Sequence, residues 1–209
     1  MRTALTLLLL LSVCHFATSP AAQEKRPSAK QNDPQSEYEP RSRPGEGQKF
    51  LQKFVGDWEV AKTFHPRAGA PVRHKGECRQ TMMHDGRFLR SEFVFGQGDR
   101  KTTGLGLIGF ETATGKFTSV WTDSRATRMS FRQSKHAFNG TEIVLFSQSF
   151  GDGNKEARRS RTVTRLEDEG RKIVHHQYTA GPDSKERLIM ELTMTKKGKA
   201  QSAASDTRR

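Results

Sequence analysis

Three groups of residues have the types and spacings to do chemistry. Gly104-Leu105-Gly106-Leu107-Ile108-Gly109 is a literal Gly-x-Gly-x-x-Gly, which cradles a pyrophosphate when its glycines form a turn that opens a helix. Here the following Thr112-Ala113-Thr114-Gly115-Lys116 reads as a turn into another extended run. No helix offers its N–H groups, and Gly104, Gly106 and Gly109 are read as structural, permitting close packing within a strand. Phe117, Trp121 and Asp123 have equal parity on one run, so in a strand they share a face. If that face lines a cavity, Asp123 orients a polar group of a ligand beside an aromatic wall. Otherwise Trp121 packs in the core and Asp123 caps the following turn. His175 and His176 are adjacent, point to opposite faces of a strand and cannot chelate one ion together; His176 shares parity with Tyr178 as a further pair for a cavity wall.

Other chemistries find no foothold. His65, His74, His84 and His136 show no metal-ligand spacing, so no metal and no cofactor are expected. A Gly-x-Ser-x-Gly elbow, a His-Glu-x-x-His pair and carboxylates at glycosidase spacing are all missing, and no catalytic residue is assigned. An enzyme would have to be assembled from distant strands. The net charge of +13 is spread along the chain. Its densest run, Arg158-Arg159-Ser160-Arg161, falls in a strand edge or loop without interleaved aromatics, so no specific nucleic-acid partner is expected, while contact with anionic surfaces stays open.

These residues need a scaffold, and residues 85–124 supply its pattern: three short extended runs, each closed by a Gly- or Asp-containing turn. About ten such runs follow one another, at 58–64, 74–83, 87–95, 102–111, 116–123, 129–135, 141–148, 160–166, 172–179 and 187–195. In the last, Leu188, Met190, Leu192 and Met194 share one face. Asn139-Gly140 is the strongest hairpin signal, because a type I′ turn needs positive φ at both positions. Phe50, Leu51, Phe54 and Val55 have the spacing of one or two helical turns, ended by Gly56. Short sequential connections and the need to dispose of sheet edges favour a barrel. The expected fold is all-β: an antiparallel meander of about ten strands closed into a barrel, with a short N-terminal helix.

Around this domain, placed at 49–195, residues 1–21 carry the pattern of a secretory signal peptide. Residues 22–48 are proline-rich, charged and poor in aliphatics, and are read as a disordered linker; 196–209 form a disordered basic tail. The leading apolar run is too short to span a membrane, so no transmembrane segment is expected in the mature chain, which is placed in the periplasm or outside the cell. If Cys14 leaves with the leader, Cys78 stands alone, without a disulfide, as a small buried apolar residue rather than a nucleophile.

Phe54-Val55-Gly56-Asp57-Trp58-Glu59-Val60 resembles the opening of lipocalin-like (calycin) barrels, where a short helix leads into Gly-x-Trp and the tryptophan plugs the closed end. With Asp85-Gly86-Arg87-Phe88-Leu89, the run from Gly104 to Phe110 and Trp121-x-Asp123-Ser124, the chain is similar to the bacterial family called domain of unknown function 1579 over roughly 49–195. The resemblance implies a calycin-like barrel in which Gly56 and Trp58 are structural, and it brings no established activity. The chain departs from the family at Asp85, where glycine is commoner, and at Phe110, where tyrosine is usual.

These readings converge on a secreted, non-catalytic barrel that binds a small apolar or amphipathic ligand, with Phe117, Trp121, Asp123, His176 and Tyr178 as candidate wall residues. The second reading is an envelope or extracellular interaction protein, its interior filled and its surface displaying Arg158, Arg159, Arg161 and Arg165 to anionic polymers. The two separate on whether the interior holds a cavity on the order of several hundred Å³.

Overall fold

The computed structural model describes residues 34–148, 159–180 and 185–198. The expected signal peptide, the linker as far as residue 33, Arg158 and the tail beyond 198 lie outside the described residues. The chain divides into two units, Met1–Arg41 and Ser42–Arg209. In the first, the described residues include a single 3-10 turn, Pro34–Glu37.

In the second unit α1 (Glu46–Gln52) precedes β1 (Gly56–Phe64), β2 (Val72–Met83), β3 (Phe88–Phe95), β4 (Thr102–Glu111), β5 (Lys116–Asp123), β6 (Ser130–Gln133), β7 (Glu142–Gln148), β8 (Arg159–Glu167), β9 (Lys172–Ala180) and β10 (Glu186–Lys196). Each strand pairs antiparallel with its sequence neighbours, and β1 pairs with β10, so the meander closes into a barrel. Closure gives edge backbone groups partners that an open sheet would leave to solvent. The seams are unequal. β6 is the shortest strand, and only the pair Gln133↔Phe146 joins it to β7. Ser134 bridges the same gap by donating its hydroxyl to the Val144 carbonyl at 3.0 Å. No helix among the described residues is long and apolar enough to cross a membrane.

Alternation along the strands sends Val60, Cys78, Leu89, Phe93, Ile143 and Met194 to the buried interior. α1 closes one end. Its turns carry Phe50 and Leu51 to the barrel, and with Phe54 they meet Phe110, Phe117 and Phe138 in an aromatic-rich cluster. Trp58 is fully buried and donates its indole N–H to the Phe54 carbonyl at 3.0 Å, which fixes it in the closed end. The free N-terminus of α1 is met by Gln48, whose Oε1 accepts from the Gly45 N–H at 2.7 Å while its Nε2 donates to the Phe110 carbonyl at 2.6 Å. The ordered domain therefore begins before residue 49: Gly47 and Gln48, which composition assigns to the linker, are buried against β4.

Three local features differ from the sequence pattern. Asn139-Gly140 is not a type I′ turn, since only Gly140 has positive φ, at 87°. Asn139 instead accepts from the N–H groups of Thr141 and Glu142 at 2.9 and 3.2 Å, an Asx turn within a loop too long to need the two-residue hairpin. β10 is bulged: Leu188 pairs with Tyr178 but Met190 pairs with Gln177. The extra residue breaks strict alternation and puts Leu188 in register with the outer face. At the β2–β3 turn His84, Asp85 and Gly86 all have positive φ, at 50°, 54° and 81°. That explains in physical terms why glycine suits position 85, and aspartate is among the few side chains that tolerate it.

A Cβ on Gly47 would lie 2.1 Å from the Phe110 ring. Gly47→Ala is expected to lift α1 from the barrel end and lower stability by about 1–3 kcal/mol. A urea midpoint unchanged from the parent would contradict this docking.

Candidate functional site

The interior is not filled. A cavity of about 550 Å³ lies inside the barrel, with Leu51 and Phe54 among its walls at the α1 end and Lys62, Phe64 and Arg125 at the other. That volume lies in the range of small-molecule sites. Its apolar lining includes Leu89 and Phe93 of β3 and Ile108 of β4, and its polar lining includes Gln80 and Ser91 of β2 and β3 and Ser119, Arg132, Thr164, His175 and Gln177 of β5, β6, β8 and β9.

Trp121 is the best-defined element of the wall, and the glycine motif is its seat. Gly104 and Gly106 stand across from Asp123 and Trp121 in the β4–β5 register. A Cβ on Gly104 would lie 2.4 Å from the indole, and one on Gly106 3.4 Å from it. The glycines hollow out β4 so that the ring lies against backbone, where it meets Phe93 edge-on at 5.5 Å between centroids. The third glycine, Gly109, accommodates Phe88 in the same way. Trp121 donates its indole N–H to Asp123 at 3.0 Å, and the other carboxylate oxygen accepts from the Arg125 N–H at 2.9 Å. Trp121 and Asp123 line the cavity, and Asp123 also caps the turn after β5. These hydrogen bonds, the indole's first, hold the Asp123 carboxyl below its ordinary range.

The other expected wall residues fall elsewhere. Phe117 shares the face of Trp121 but lies deeper, almost fully buried in the aromatic cluster. The register Thr164↔His175 and Val163↔His176 turns His175 inward with Gln177, so His176 and Tyr178 do not line the cavity as parity alone allowed. Tyr178 lies under the Arg161 guanidinium, 4.3 Å from ring centroid to carbon, and His176 stands 3.5 Å from Glu191. Cys78 is buried, and burial pushes its thiol up, away from the thiolate a nucleophile needs. Among the described residues no three His, Cys, Asp or Glu side chains converge to hold a metal ion.

The chain's most informative residues escape the sequence pattern. On β6 Arg132 lines the cavity while Phe131 is 59% exposed, the reverse of apolar-in and polar-out. Burial lowers the Arg132 pKa, and its Nε is buried with no hydrogen-bond partner among the described residues. Gln80 donates to Ser91 at 2.9 Å, yet its own Oε1 is also buried and unpartnered. At the other end Lys62 places its ammonium 3.5 Å over the Phe95 ring. Burial lowers its pKa and Arg125 adds to this, while Asp123 opposes them.

The family described as "Protein of unknown function (DUF1579)" matches residues 43–196. This chain belongs to that family. The match spans α1 and all ten strands, so the family domain is the closed barrel with its helical plug. No curated protein sequence matches the chain. Among solved structures, the S-type phycobiliprotein lyase CPES from Guillardia theta is similar at 12% identity and a TM-score of 0.48, over 73% of this chain and 94% of that one.

His175 makes the site pH-sensitive. Its Nδ1 is 2.8 Å from the Thr164 hydroxyl. Burial, then the Arg132 charge and His176, hold its pKa at about 4 instead of 6.5. Between those values the unfolded chain binds the proton that the folded one refuses, so stability is full above about pH 6.5 and falls as pH drops toward 4. The loss is at most about 3 kcal/mol, because part of the ring faces the cavity rather than solid core. Urea midpoints at about pH 7 and pH 4.5 should differ accordingly, and His175→Gln should reduce the difference.

Proposed function

We propose that this barrel is a secreted, non-catalytic receptacle for a small apolar or amphipathic molecule. The cavity of about 550 Å³ carries the reading: a barrel serving only as a scaffold gains stability by filling such a space, and this one keeps a lining of aromatic and polar side chains. The leader-like residues 1–21 support the secreted placement. The alternative, a filled barrel presenting bare arginines to anionic polymers, has less support. Arg161 is paired with Glu186 at 2.6 Å and Arg165 with Glu142 at 2.6 Å.

Native mass spectrometry of the protein from its own host, followed by denaturing mass spectrometry, should find a stoichiometric small molecule. A clean unliganded mass under gentle conditions counts against the receptacle. Trp121→Ala should weaken binding at least tenfold while costing about 1 kcal/mol of stability. Trp58→Ala, in the closed end, should cost about 3–5 kcal/mol. Equal losses of folding in the two variants would assign Trp121 to packing alone.

A further inference from the structure

The cavity's charges are out of balance. Among the described residues, Lys62, Arg125 and Arg132 line it, against the single carboxylate of Asp123. That carboxylate is already engaged by the Trp121 indole and the Arg125 backbone. His175 does not redress the balance, since it is neutral at neutral pH. Arg132 is the decisive member. A guanidinium stays charged under ordinary conditions, and a charge withdrawn from water is costly unless it is paired. Among the described residues no carboxylate bridges to Arg132, and its Nε is buried without an acceptor. The side chain occupies an inward position that the β6 pattern would otherwise give to an apolar residue, beside Ser119 across the β5–β6 pair. The Thr164–His175 pair lies on the same side as Arg132, while Leu51 and Phe54 at the α1 end and Leu89, Phe93 and Ile108 of β3 and β4 supply apolar surface.

Resting on the receptacle reading above, we infer that the ligand is an amphiphile with one anionic head, of the carboxylate type. Its head is held by the Arg132 guanidinium and neighbouring hydroxyls, and its apolar body lies against Phe93, Ile108 and Phe54. A carboxylate supplies the acceptor that the buried Nε lacks, and a charge-assisted pair is stronger than a neutral hydrogen bond. The lysine and second arginine at the far end favour approach of the same sign of ligand.

The test uses the whole protein with two probes of equal shape, cis-parinaric acid and its methyl ester, read by energy transfer from tryptophan. The acid should bind the parent at least tenfold more tightly than the ester. Arg132→Met should weaken the acid by about ten- to a hundredfold and leave the ester nearly unchanged. Arg132→Lys, which keeps the charge but loses the fork, should fall between them. If acid and ester bind the parent equally, the anionic-head inference is overturned while the receptacle stands. It is overturned in the same way if Lys62→Met weakens the acid and a folded Arg132→Met does not. If neither probe binds the parent, both readings fall. The comparison of acid with ester in the parent needs no variant, so misfolding of Arg132→Met cannot shelter the idea.

Discussion

Closure of the sheet by the β1–β10 pair is the constraint from which everything else follows. Once the first and last strands are bonded through register pairs such as Trp58↔Lys196 and Phe64↔Met190, every strand has one face committed to a common interior. A barrel of ten strands encloses more space than one layer of side chains fills, so the interior must be plugged, packed or left open. This chain does all three along its length. α1 and Trp58 plug one end, the phenylalanines around Phe117 pack the region beside them, and the remainder is cavity. The site is what the closed sheet leaves over.

The interior is shaped by subtraction as much as by filling. Gly104 and Gly106 remove two side chains from β4 and let the Trp121 indole lie against backbone, which places the ring and leaves its N–H pointing at Asp123. Asp123 in turn fixes the Arg125 backbone at the turn that follows. One motif thus sets a wall, an anchor for that wall and the start of the loop beyond it. A glycine pattern that suggests phosphate chemistry in a helix-opening turn has a steric purpose in a strand.

The elements were legible in the sequence because a half-buried strand announces itself by alternation and a hairpin by its punctuation. The runs at 102–111 and 116–123 coincide with β4 and β5 residue for residue. What stayed hidden depends on partners rather than on local pattern. Parity showed that His175 and His176 face opposite ways, but only the pairing with β8 decides which one faces inward. The β10 bulge is invisible to alternation, since a single inserted residue moves Leu188 to the other face without changing composition. Arg132 was illegible for a deeper reason: Phe131 and Arg132 invert the usual sorting of polar from apolar, and such an inversion becomes meaningful only once a cavity exists for the cation to face.

The seam between β6 and β7 has one strand pair and a serine bridge, where β5–β6 runs the length of β6 and β7–β8 the length of β7. A hoop is weakest at its thinnest join, and here that join borders the stave that carries Arg132. A group bound to that guanidinium from within would act as a latch across the join, and filling the interior would tighten the ring that encloses it.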